Sequence, residues 1–245
     1  MTTTILELSD RTITAEEIIP LMTQYHLLPQ FLRGLVLDQA IATVTYSDDE
    51  HSEFCQQYQF NDAATRQVWL QQHSMTSDQL ESWISRELRI KKFQQAQWGR
   101  KVGAYFLQRK SQLDQVVCSL IHTQDLDVAQ ELYFRILENE QPFAELAQTY
   151  SQGPEAQTDG IVGPIALGNL HSDLARLFYG SHPGQLWQPT QIGDWWVIAR
   201  LETVIPAQLD DSIRQHLLNE LLETWLQEQV NQQLSTHLQS LQTMN

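Results

Sequence analysis

The chain has 245 residues, enough for one large domain or two smaller ones, each burying its own core. Thirty acidic residues against 15 basic ones leave a net charge of −15, which repels a nucleic-acid backbone or an anionic bilayer and argues against nucleic acid as a partner. Cys55 and Cys118 are the only cysteines and form no Cys-x-x-Cys pair, which argues against a disulfide framework, a zinc ribbon or a thioredoxin-type site and suits a reducing compartment.

The opening MTTTILELSD has no basic stretch and no apolar run of signal-peptide length, and no later run approaches the ~20 apolar residues of a membrane span. The expectation is a cytoplasmic, soluble chain without membrane insertion. Its eight histidines are scattered, with no His-x-His or His-Glu-x-x-His spacing, so no metal is indicated. Glycine-rich phosphate loops and the Gly-x-Ser-x-Gly elbow are absent too, which removes support for nucleotide binding and serine-hydrolase chemistry.

Residues 1 to about 110 read as helical. Three capping-box patterns, Thr14 to Glu17, Ser47 to Glu50 and Thr76 to Gln79, each precede a periodic segment. Pro29 leads into a helix in which Phe31, Leu32, Leu35, Gln39 and Ala42 share a face while Val36 and Leu37 widen the apolar girth. Such a helix needs either a deep bundle or a client polypeptide to cover it. Leu80, Trp83, Ile84, Leu88 and Ile90 to Phe93 give a further amphipathic stripe.

Around residue 114 the period changes. QVVCSLI alternates and is β-branched, predicting a strand, whereas Ala129, Leu132, Tyr133 and Ile136 stand at i, i+3, i+4 and i+7 and predict a helix. Phe143, Leu146, Ala147 and Tyr150 predict a second helix, and Leu170, Leu174, Leu177 and Phe178 a third. Two apolar runs divided by Gln191, Ile192, Gly193 and Asp194 read as a closing hairpin, so this part is α+β. Pro206 ends the sheet, and a long helix capped by Asp210 or Asp211 follows, with Ile213, Leu217, Leu221 and Val230 on its apolar face. The expected organisation is a helical region over 1–110, an α+β domain over 114–203, and a helix over 207–245 that packs back on the first region.

The stretch Phe143, Leu146, Ala147, Tyr150, Ser151 and Pro154 resembles the helix and loop of parvulin-type peptidyl-prolyl cis/trans isomerases, which run Phe-x-x-Leu-Ala-x-x-Tyr-Ser-x-x-Pro. Gly160 and Gly163 then fall where that family has a glycine-rich second strand, Gly168 and Leu170 where it has a Gly-x-Met element, and Pro183-Gly184 where a turn leads into the hairpin. The flanking helices are similar to those of SurA-like and PrsA-like foldases. The fold implied is a four-stranded antiparallel sheet with short helices, inserted between the N-terminal helical region and the long C-terminal helix.

The resemblance implies an isomerase that takes an extended X-Pro segment of an unfolded polypeptide in a groove over the sheet and needs no cofactor. Leu170, Leu174 and either Phe178 or Tyr179 correspond to its apolar proline pocket. Ser119, Ile161 and Trp195 correspond to the positions of its polar residues: the histidine of the first strand, the acidic or cysteine position of the second, and the histidine of the last. With those polar groups replaced, two functions fit: a weak isomerase with chaperone-like client binding, or a non-catalytic chaperone or adaptor that keeps the groove. His122, three residues beyond Ser119, points to the opposite face of the strand.

Overall fold

The computed structural model describes residues 4–8 and 11–243, with side chains over 13–235. Two compact units emerge, one of residues 1–102 with 214–245 and one of residues 103–213.

The first unit opens with strands β1 (Thr4–Leu8) and β2 (Arg11–Thr14), an antiparallel hairpin within the stretch expected to be helical. Helices α1 (Ala15–Gln24), α2 (Leu28–Ile41), α3 (Asp48–Gln57), α4 (Ala63–Gln72) and α5 (Ser77–Trp98) follow. All three capping-box sequences start helices. The Glu17 carboxylate accepts from the Thr14 amide at 2.9 Å, Glu50 from Ser47 at 2.7 Å, and Gln79 from Thr76 at 2.8 Å, each filling a donor that a helix start leaves open.

One core of this unit joins α3, α4 and α5 through Phe54, Phe60, Leu70, Leu80, Ile84 and Leu88. A second joins α2 and α5 to the last helix, α10 (Asp211–Thr243), through Leu37, Ile41, Ile90, Phe93, Leu222 and Leu226. Buried Gln94 sits beside that second core and is satisfied on both sides. It donates to Asn219 at 2.8 Å and accepts from Gln215 at 3.0 Å.

Two sequence expectations change here. On α2 the covered residues are Leu37 and Ile41, whereas Phe31 and Leu35, from the face read off the sequence, are 47% and 49% exposed. An almost all-apolar helix offers several candidate faces, and the geometry of α5 and α10 selects one. On α10 the buried row is Leu218, Leu222, Leu226 and Val230, an i, i+4 ladder beside Leu217.

The second unit contains most of α6 (Val102–Leu113), then β3 (Gln115–Thr123), α7 (Leu126–Leu137), α8 (Phe143–Tyr150), a 3₁₀ turn at Pro154–Thr158, β4 (Ile161–Ala166), α9 (Ser172–Phe178), β5 (Leu186–Ile192) and β6 (Trp195–Ile205). The sheet is antiparallel in the order β4-β3-β6-β5. The β5–β6 hairpin turns on Gly193 and Asp194 alone, since Ile192 already pairs with Trp195; Gly193 takes the positive φ of 61° that such a two-residue turn asks of its first position.

Both faces of this sheet are covered. Ile121 and Ile198 meet Leu132 and Ile136 of α7 and Phe143, Leu146 and Ala147 of α8 on one side. Val116, Cys118, Leu120, Val197, Ala199 and Leu201 meet Leu174 and Phe178 of α9 on the other. The chain is thus α+β, with a four-stranded antiparallel sheet between helical segments and a long C-terminal helix.

Leu226 is fully buried in the core shared by α2, α5 and α10. Leu226→Ala is expected to destabilise the first unit by about 2–5 kcal/mol, read as an earlier unfolding transition in denaturant, whereas an unchanged midpoint would show that α10 does not hold that core.

Candidate functional site

Side chains alternate along a strand, so β3 divides its residues between the two cores. Cys118 and Leu120 lie in the core facing α9, and Ile121 lies in the one facing α7 and α8. Ser119 therefore faces α7 and α8. Its hydroxyl, 2% exposed as a residue, donates to the Glu202 carboxylate at 2.5 Å, and Arg200 donates to the same oxygen at 2.7 Å while its guanidinium lies 4.9 Å from the centre of the Phe143 ring. Ile161 pairs directly with Ser119 across the β3–β4 ladder and shares its face, 49% exposed.

The remaining sequence-derived positions gather on the opposite face. Leu174 and Phe178, 5% and 2% exposed, close into the core, with Leu170 and Trp195 packed against it. Tyr179 is 69% exposed. Leu170 and Tyr179 instead line a cavity of about 550 Å³, together with Leu167, Ala175, Arg176 and, from α6, Gln112. The structure thus brings Leu170, Leu174, Phe178 and Trp195 to one side of the sheet and puts Ser119 and Ile161 on the other.

The centre of the α9-facing side is apolar throughout. Leu120 pairs with Ala199 and Cys118 with Leu201. Burial, assisted by the negative charge of Glu202, pushes the Cys118 thiol up to about 12, so it stays protonated and acts as a small apolar side chain.

Polar chemistry sits at the end of β3. His122 falls on the α9-facing register, paired with Val197, and its ring meets Trp195 edge-on at 6.4 Å. The helix-and-loop stretch after α8 clasps it. Glu155, in the 3₁₀ turn, has only 3% of its side chain exposed and lies 2.7 Å from His122 Nδ1. The Ser151 hydroxyl donates to the same carboxylate oxygen and accepts the His122 amide at 3.0 Å, and the Gln152 amide donates to the His122 carbonyl at 2.9 Å.

Burial acts to raise the Glu155 pKa, but the hydrogen bonds from His122 and Ser151 outweigh it and hold the carboxyl below its ordinary value. Gly153 makes room for this group, because a Cβ there would collide with the Glu155 carboxylate. Glu155 was not foreseen: in sequence it is one acidic residue in a polar loop, and only the turn at Pro154 carries it to a histidine 33 positions away.

Residues 123–203, from the last residue of β3 into β6, match the family model described as Rotamase, PPIC-type PPIASE domain. The match covers 81 of the 245 residues.

Among solved structures, the chain is similar to a peptidylprolyl isomerase, PrsA, of Bacillus anthracis, with 18% identity, 85% of this chain and 97% of that one covered, and a TM-score of 0.48. It is also similar to the foldase PrsA of Streptococcus pneumoniae (13% identity, 96% and 94% covered, TM-score 0.44). A third similar structure is a SurA-like chaperone from Campylobacter jejuni (16% identity, 97% and 98% covered, TM-score 0.36). No curated protein matches. The PPIC-type segment supplies α7, α8, β4, α9, β5 and most of β6, and β3 completes its sheet from just outside the match. Among the described residues no group of three or more His, Cys, Asp or Glu could hold a metal ion, and no helix is long and apolar enough to cross a membrane.

Because the folded-state pKa of Glu155 is depressed, its stabilising contribution is present above the ordinary carboxylate range and lost as pH falls through the folded value. Glu155→Gln should therefore lower stability by about 1–3 kcal/mol near pH 7. That deficit should shrink below about pH 4. Denaturant titrations of both proteins across this range check it, and a pH-independent gap would contradict the assignment.

Proposed function

We propose that the chain is a foldase whose PPIC-type domain binds extended, proline-containing polypeptide and accelerates rotation about X-Pro bonds. The observation that carries this reading is the match of residues 123–203 to the PPIC-type model. The cavity of about 550 Å³ lined by Leu170 and Tyr179, beside the core that α9 covers, supports it.

The chemistry needs no nucleophile. Rotation breaks amide resonance against a barrier of ~18–20 kcal/mol, and uncatalysed X-Pro exchange takes tens of seconds or longer. An apolar surface disfavours the charge-separated form of the imide, and one that fits the twisted geometry binds the transition state better than either ground state. Each ~1.4 kcal/mol of that difference is tenfold in rate.

Client holding belongs to the first unit in this reading. Ile19, Tyr25, Leu27, Phe31 and Leu35 of the α1–α2 segment are between 44% and 57% exposed, apolar area suited to unfolded chain. The net charge of −15 favours clients that carry positive charge. Free thiols at Cys55 and Cys118 suit a reducing compartment such as the cytoplasm.

A second reading is a non-catalytic binder that retains the surface. The near-complete burial of Leu174 and Phe178 and the apolar Leu120–Ala199 and Cys118–Leu201 pairs favour it, since little open pocket and no polar group remain at the centre. A protease-free assay of cis-to-trans relaxation in an X-Pro peptide separates the two. The foldase reading expects a rate above background that rises linearly with protein concentration and falls in Leu170→Ala. Suppression of client aggregation with no rate enhancement would select the binder.

A further inference from the structure

The loop that follows α8 makes an unusual investment in one side chain. Glu155 is almost wholly removed from water, yet it contacts His122 Nδ1 and Ser151 and is accommodated by the missing side chain of Gly153. The same loop also fixes the His122 backbone through Ser151 and Gln152. A carboxylate accepting from Nδ1–H sets the ring orientation and selects, for a neutral imidazole, the tautomer whose Nε2 is an acceptor. Among the described residues Nε2 has no hydrogen-bond partner, and the side chain is 25% exposed beside Trp195 at the border of the apolar face.

We propose that His122 is the polar specificity-determining residue of the peptide surface, its Nε2 accepting a backbone N–H of the client next to the proline, with Glu155 as the positioning residue. The inference rests on the peptide-binding reading above. Proline itself has no N–H, so an apolar surface that seats its ring gains no hydrogen bond from it. The N–H of the following residue is the nearest donor, and pairing it with a pre-oriented acceptor fixes the register of the extended chain. Trp195 supplies the apolar contact alongside.

The test uses two probes on the full chain: an Ala-Ala-Pro-Phe peptide, and its ester analogue in which the N–H after proline is replaced by oxygen. The wild type should bind the amide about five- to tenfold more tightly than the ester. His122→Leu should bind the two equally, and Glu155→Gln, which keeps an acceptor for Nδ1–H, should retain the preference. Independently of any variant, the ¹⁵N resonance of His122 Nε2 should shift on titration with the amide and much less with the ester. Equal wild-type affinity for both probes, with an unmoved Nε2 resonance, overturns the assignment while leaving peptide binding standing. If neither probe binds the wild type, the peptide-binding reading itself fails and the role of His122 with it.

Discussion

Adjacent residues on β3 point to opposite faces, and because both faces are covered, its buried apolar residues are divided between two cores. Cys118, Leu120 and His122 belong with α9, while Ser119 and Ile121 belong with α7 and α8. The assignment propagates across the sheet, since directly paired residues share a face: Ile161 follows Ser119, and Val197 follows His122. A one-residue slip of β3 would put the Ser119 hydroxyl into the apolar layer under α9, away from Glu202, and Leu120 beside charged Arg200, so the register is held from both sides.

That constraint explains where apolar and polar side chains fall within the domain. The middle of the α9-facing surface is sealed by apolar pairs and cannot donate or accept. Polar chemistry is displaced to the strand end, where the loop after α8 can reach it. Tyr150 ends the helix, Ser151 bonds the His122 amide, and the 3₁₀ turn opened by Pro154 brings in Glu155. A buried carboxylate is costly unless its oxygens are satisfied, and the contacts from His122 and Ser151 are what make this one tenable.

Much of the architecture was legible in the residues. The helix starts at Thr14, Ser47 and Thr76 are local hydrogen-bond chemistry and can be read without tertiary information. Helix α8 falls on Phe143–Tyr150, where its periodicity is strong. What could not be read was facing. The exposed side of α2 depends on where α5 and α10 lie, and β1–β2 is a hairpin too short for alternation to stand out from a helical pattern. At the site, Leu170, Leu174 and Phe178 lie on one face and are joined there by Trp195, which the resemblance grouped with Ser119 and Ile161, and their burial is a tertiary outcome. The positions that the resemblance assigned to polar residues separate, with Ser119 and Ile161 on one face and Trp195 on the other, and the contact of His122 with Glu155 joins residues 33 positions apart that only the fold brings together.

The central claim is that the α9-facing surface, bordered by Trp195 and His122, handles prolyl segments. Exchange spectroscopy on an X-Pro peptide with labelled protein tests both halves at once. The account predicts cis–trans exchange peaks at mixing times where the free peptide shows none, with protein resonances perturbed at Trp195, Leu170 and His122. Absence of exchange peaks, with perturbations confined to α1 and α2, would contradict it.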